Sequence, residues 1–168
     1  MPVFTAWNGA MPTTAAQAAV TTGTAIKTML QIATPSTRQL EIVSWGYTLD
    51  GPPGADGVVE LLQTDVAATV TAHVAAGVQP AHPGSPASLM TLGTSATGYT
   101  STSEGAITAT KVYDVVSLSS TTAESPLTYS RLFTPKEAKL VDVSKFLRVR
   151  VTTPTTAVNM RCFVTWLE

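Results

Sequence analysis

After residue 25, apolar and polar residues alternate with a period of two along most of the chain, and β-branched residues fill many of the apolar positions. That pattern predicts half-buried strands. Ile26, Thr28, Leu30 and Ile32 form the first ladder, closed by Thr34-Pro35-Ser36. Residues 40–49 form the second, with Val43, Trp45, Tyr47 and Leu49 on one face. It ends in 50–57, a Gly- and Pro-rich loop that neither helix nor ladder can cross, and 58–63 returns as its antiparallel partner. Further strands are expected over 91–105 at an edge, 106–118, 127–133, 138–142, 146–151 and 157–167. In the last of these, Val158, Met160, Cys162, Val164 and Trp166 share a face. The segment 65–78 is ambiguous, because Ala67, Ala68, Ala72, Ala75 and Ala76 favour helix whereas Val66, Thr69, Val70, Thr71 and Val74 favour strand. It is read as a short helix or turn. Pro80, Pro83 and Pro86 then mark an irregular surface connection.

About eight short strands, with no sustained helical period and no alternation of strand and helix, point to a single all-β antiparallel sandwich. The long connection around 76–105 favours a jelly roll over an immunoglobulin-like sandwich. No fixed-period repeat argues for a propeller or solenoid. Residues 1–25 carry no charged side chain and are rich in Ala, Thr and Pro, with Phe4 and Trp7 as aromatic anchors. They are expected as an extended arm on a sandwich spanning 26–168, lying against that sandwich or a neighbouring subunit.

Composition sharpens the picture at the surface. Charged residues make up 12% of the chain and the net charge is −1, against ~25% charged in an ordinary domain. Twenty-nine threonines take up the difference. Such a surface suits packing against protein and suits nucleic acid poorly, since phosphate binding draws on clustered Lys and Arg. No run of 18 apolar residues predicts a membrane span, and no basic start predicts a secretory signal. A single cysteine, Cys162, excludes an intrachain disulfide and is read as a buried hydrophobe.

Catalytic patterns are scarce. His73 and His82 are spaced for neither a helical zinc pair nor a finger. Asp50 and Asp56 flank a Gly-rich loop and are read as turn residues rather than calcium ligands. Neither a Gly-x-Ser-x-Gly elbow nor a phosphate-binding Gly-x-x-x-x-Gly-Lys loop occurs. No enzymatic activity, cofactor or metal is expected. Trp45 and Tyr47 are assigned to the core, and Trp166 sews the last strand into the sheet. Arg148 and Arg150 share a face with Phe146, a short basic stripe that could meet an acidic neighbour. With Phe4 and Trp7, these two arginines are the candidate interaction residues.

The opening Met1-Pro-Val-Phe-Thr-Ala-Trp-Asn-Gly9 and the stretches 38–46, 61–73, 91–100, 103–110, 146–152 and 162–168 resemble a family of small virion proteins of tailed bacteriophages of actinobacteria. The resemblance spans nearly the whole chain and its motifs are structural. It implies a minor capsid or decoration protein on the outer surface of the capsid, without catalytic residues. The expected partners are the major capsid protein and further copies of the chain in a homotrimer, with no direct nucleic-acid or membrane contact. The rival expectation is a tail-associated receptor- or carbohydrate-binding module using Trp45, Tyr99 or Tyr113 as exposed platforms.

Overall fold

Two antiparallel sheets pack face to face in the computed structural model, which describes residues 1–121 and 126–168. Its strands are β1 (Val3–Trp7), β2 (Val20–Thr21), β3 (Lys27–Ala33), β4 (Leu40–Leu49), β5 (Gly57–Thr64), β6 (Thr69–Ala72) and β7 (Val78–Pro80). They are followed by β8 (Gly98–Ser103), β9 (Thr110–Leu118), β10 (Thr128–Leu132), β11 (Lys139–Val141), β12 (Phe146–Thr152) and β13 (Asn159–Leu167). One sheet runs β10-β4-β13-β1-β7, with β11 added on β4 and β2 on β13; the other runs β6-β8-β3-β12-β5-β9. The expected all-β sandwich is what forms.

Eight of these strands reproduce the logic of a jelly roll. β1 pairs β13, β3 pairs β12, β4 pairs β10 and β5 pairs β9, so the chain is one long hairpin whose halves stay in register from the ends inward. Rolling that hairpin up brings β13 beside β4 and β12 beside β5, which closes the two four-stranded sheets of the sandwich. The remaining strands are short additions. Three of them, β6, β7 and β8, lie in the connection from β5 to β9, and they run back across the molecule to extend both sheets beyond β1 and β3.

The expected pairing of 40–49 with 58–63 does not form: the 50–57 loop carries the chain from one sheet to the other, so β4 pairs β10, β11 and β13 while β5 pairs β9 and β12. Three local expectations are corrected as well. The Ala-rich 65–78 is neither helix nor simple turn: it contains β6, a single 3₁₀ turn at Ala75–Gly77 and the start of β7. Alanine is small enough to sit in a strand once a neighbouring edge offers hydrogen bonds, and β8 offers them here. Second, a bulge in β4 changes the parity of its side chains. Thr165 faces Ser44 but Trp166 faces Ile42, so Val43 is left over. Leu40 and Ile42 therefore point inward along with Trp45, Tyr47 and Leu49, while Val43 is only half-buried and leaves the face on which it was expected. Third, β9 starts at Thr110 and carries its own bulge at Tyr113, between Val112 opposite Leu62 and Asp114 opposite Leu61. Its two faces are not the clean alternation expected over 106–118.

β1 and β2, both within residues 1–25, are strands of the sandwich. β1 is hydrogen-bonded on both sides, by β13 and β7, and Phe4 is 1% exposed against Trp166. Core residues come from both sheets: Met29, Leu30, Ile32, Leu61, Leu147, Val149 and Val151 from one, Ile42, Trp45, Tyr47, Met160, Cys162, Val164 and Trp166 from the other. The last-strand alternation thus holds, and Cys162 is fully buried. Among the described residues no helix is long and apolar enough to cross a membrane.

Candidate interaction surface

The four residues singled out as interaction candidates have separate fates. Phe4 lies inside the sandwich and offers nothing to a partner. Trp7, at the end of β1, is 36% exposed and rests on Phe163 at 5.0 Å between centroids, so one of its faces is open to a neighbour. Arg148 is on the outer face of its sheet as the alternation required, but it is fully covered. The segment between β5 and β9 folds over it. Its Nη1 donates to Glu104 Oε2 and to the Glu104 carbonyl, both at 3.1 Å, and its Nη2 donates to the Val66 carbonyl. Burial pulls the guanidinium below its ordinary pKa, and Glu104 partly offsets that pull. Arg150, two residues on, donates through Nε to Glu60 Oε2 at 3.0 Å across the β12–β5 pairing. The basic stripe is therefore consumed in ion pairs within the chain, and neither Phe4 nor Arg148 is exposed.

Where the two sheets meet at the β9/β10 edge, polar groups close the gap. The Asp114 carboxylate accepts from Trp45 Nε1 at 3.0 Å, from the Tyr129 hydroxyl at 2.8 Å and from Arg131 Nη1 at 3.1 Å. Next to it the Tyr113 hydroxyl donates to Gln63 Oε1 and to the Leu140 carbonyl, and Gln63 Nε2 donates to Asp142. Burial first pushes the phenols of Tyr47, Tyr113 and Tyr129 above their ordinary range; Asp142 adds to this for Tyr113, Asp114 for Tyr129, and Tyr129 followed by Asp114 for Tyr47. These clasps give Asp114 and Asp142 structural roles. Sequence reasoning missed Asp114 because Trp45 lies 69 residues away and Tyr129 and Arg131 belong to the other sheet, so the donors converge only when β9 and β10 meet edge to edge.

The opposite side is held differently. His73 is 4% exposed; its Nε2 donates to the Trp7 carbonyl at 2.8 Å and its ring lies 4.8 Å from that of Tyr99. Burial lowers its pKa. The Glu168 carboxylate accepts from Trp166 Nε1, Ser88 Oγ and the Leu89 amide. Between these two clasps sits an apolar pocket of about 210 Å³ lined by Phe4, Ala76, Val78, Pro86, Met90 and Leu92. Around it Val74, Leu89 and Leu92 are exposed.

Other candidates resolve into structural roles. Asp50 accepts from the Asn159 amide and side chain, which lowers its pKa, and Asp56 accepts from the Ser120 amide, both as turn carboxylates do. Trp45 is fully buried, and Tyr99 and Tyr113 are engaged with His73 and with Gln63 and Leu140, so none of the three is a free platform. Among the described residues no three His, Cys, Asp or Glu side chains come together where they could hold a metal ion. No protein-family model, curated protein or solved structure matches this chain.

Proposed function

We propose that this chain is a bacteriophage virion structural protein, a capsid decoration protein that binds the outer shell as a homotrimer and stabilises the head. The observation that carries the reading is how the charge is spent. The chain has few charged residues to begin with, and Arg131, Arg148 and Arg150 are paired with Asp114, Glu104 and Glu60 inside the protomer. What remains outside is a hydroxyl-rich, nearly neutral surface, suited to the charge-depleted centre of a protein interface. The resemblance to virion proteins of actinobacterial phages supports the same reading, with the major capsid protein as partner. A shell protein need not bind tightly copy by copy. Many modest contacts of ~1,000 Å² or more, repeated over a lattice, add up to resistance against internal pressure.

Quantitative gel or mass-spectrometric counting of copies in purified particles tests this. Hundreds of copies per particle are expected; a few to a few dozen would place the chain at the tail and overturn the decoration reading. Detergent-washed particles lacking the chain should lose their contents at a lower temperature than particles that retain it.

A further inference from the structure

Charge is distributed along this chain in blocks. Residues 1–26 and 66–103, 64 residues together, contain no Asp, Glu, Lys or Arg. The two blocks are far apart in sequence, and the fold makes them neighbours. β7 pairs β1, His73 Nε2 donates to the Trp7 carbonyl, and Tyr99 of β8 lines a hollow with residues 9–18. Together they form one flank of the sandwich, built from the β7 edge of one sheet and the β6/β8 edge of the other. At its margins Lys27, Glu104, Arg161 and Glu168 are each hydrogen-bonded within the protomer. The flank exposes Val74, Leu89 and Leu92 about the apolar pocket, Trp7 at the end of β1, and Ile26 beside Ser101 and Thr102 of β8. The opposite flank also exposes apolar side chains, Val112, Val115 and Leu132, but sets them among Lys111, Arg131, Lys136 and Lys139.

We propose that the charge-free flank is the surface through which copies of this chain meet. The argument is one of matching. A charge brought against this flank would find no counter-charge, and burying an ion unpaired costs several kcal/mol. Its partner face must therefore be neutral too. Of the two flanks that the described residues form, only this one qualifies, because the other would carry lysines into the contact. The flank is also large enough. The protomer exposes 7742 Å², of which an even share for 64 residues is about 3,000 Å², whereas two standard contacts need about 800 Å² each. Around a threefold axis the β7 half of one copy would face the β6/β8 half of the next, a head-to-tail contact that closes into a ring. Its edge strands are short and one ends at Pro80, so the contact is made by side chains rather than by adding strands.

The trimer in this inference rests on the proposed function; the choice of surface does not. Sedimentation velocity of the full chain, up to about 100 μM so as to cover micromolar contacts, separates the two. Val74→Glu and Leu89→Lys place opposite charges on exposed positions of the flank, and Leu132→Glu and Val115→Lys do the same on the other side. Unfolding curves of all four variants, compared with the parent in the monomeric concentration range, check that each is folded. The parent is expected to associate, the two flank variants to weaken association at least tenfold, and the two others to leave it unchanged. Association lost in Leu132→Glu or Val115→Lys but kept in the flank variants overturns the surface and leaves the trimer standing. A dimer abolished by the flank variants supports the surface and overturns the trimer. A monomeric parent at the highest concentration overturns both.

Discussion

Replacing Arg148 by Met probes the join between the roll and the segment that covers it. The guanidinium is fully buried and holds Glu104 Oε2, the Glu104 carbonyl and the Val66 carbonyl. Methionine fills much of the same volume but takes its donor from the Glu104 carbonyl, leaves the Val66 carbonyl with the Thr64 hydroxyl alone and removes the charge opposite Glu104. Breaking one side of a buried pair costs about 3–5 kcal/mol. Glu104 keeps some access to solvent, at 18% exposed, and retains donors from the Thr28 amide and hydroxyl and from Ser101. The low end, about 3 kcal/mol, therefore applies. Arg148 Nε has no partner to lose. For a domain of this size that loss lowers Tm by roughly 6–12 °C. The double variant Arg148→Met/Glu104→Gln removes the stranded carboxylate as well, and should recover about 1–2 kcal/mol of the loss as coupling energy. Urea unfolding of the parent, both singles and the double measures all four corners. If the two singles simply add, or if Arg148→Met costs under about 1 kcal/mol, the pair is not what pins the covering segment.

Three further outcomes are expected. His73 holds its proton less well folded than unfolded, because burial opposes its charge. Protons therefore favour the unfolded state below the ordinary imidazole value of about 6.5: stability is complete above it and falls as pH drops through the window beneath, and His73→Gln should flatten that slope in pH-dependent unfolding between 7 and 5. The Cys162 thiol, fully buried and pushed up in pKa, should not react with a thiol reagent such as dithionitrobenzoate in the native protein and should react once on unfolding; rapid native labelling would contradict its placement. Thr100 adopts φ 54 in β8, a region that β-branched residues avoid, and its hydroxyl is buried without a partner. Thr100→Gly should raise stability by up to about 1 kcal/mol in thermal unfolding, relief of strain outweighing the added chain freedom; a loss of that size would show that the hydroxyl or methyl is needed.

The strands that could be seen in the sequence are those in which one face is buried and the other is not. Met160, Cys162, Val164 and Trp166 are legible at once, because a half-buried strand writes its burial as alternation. Trp45 and Tyr47 are legible for the same reason. The bulges at Val43 and Tyr113 are not, because an extra residue is absorbed by pairing with a partner strand, and nothing local announces the parity change. β6 was hidden in an Ala- and Thr-rich stretch whose own preference is divided, so the β8 edge decides its state.

For the candidate surface the division runs along the same line. That this chain is charge-poor and hydroxyl-coated is a property of composition, and composition survives any arrangement of the residues. Whether Arg148 faces a partner or is sealed under its own chain depends on where 65–105 travels after β5, which is a long-range matter of sheet edges seeking hydrogen bonds. The same journey lays one uncharged block beside another 40 residues away in sequence. Alternation and composition act residue by residue and can be read in one dimension. A flank exists only after the long hairpin has rolled up, because which side chains share it is determined by strand order and not by their order in the chain.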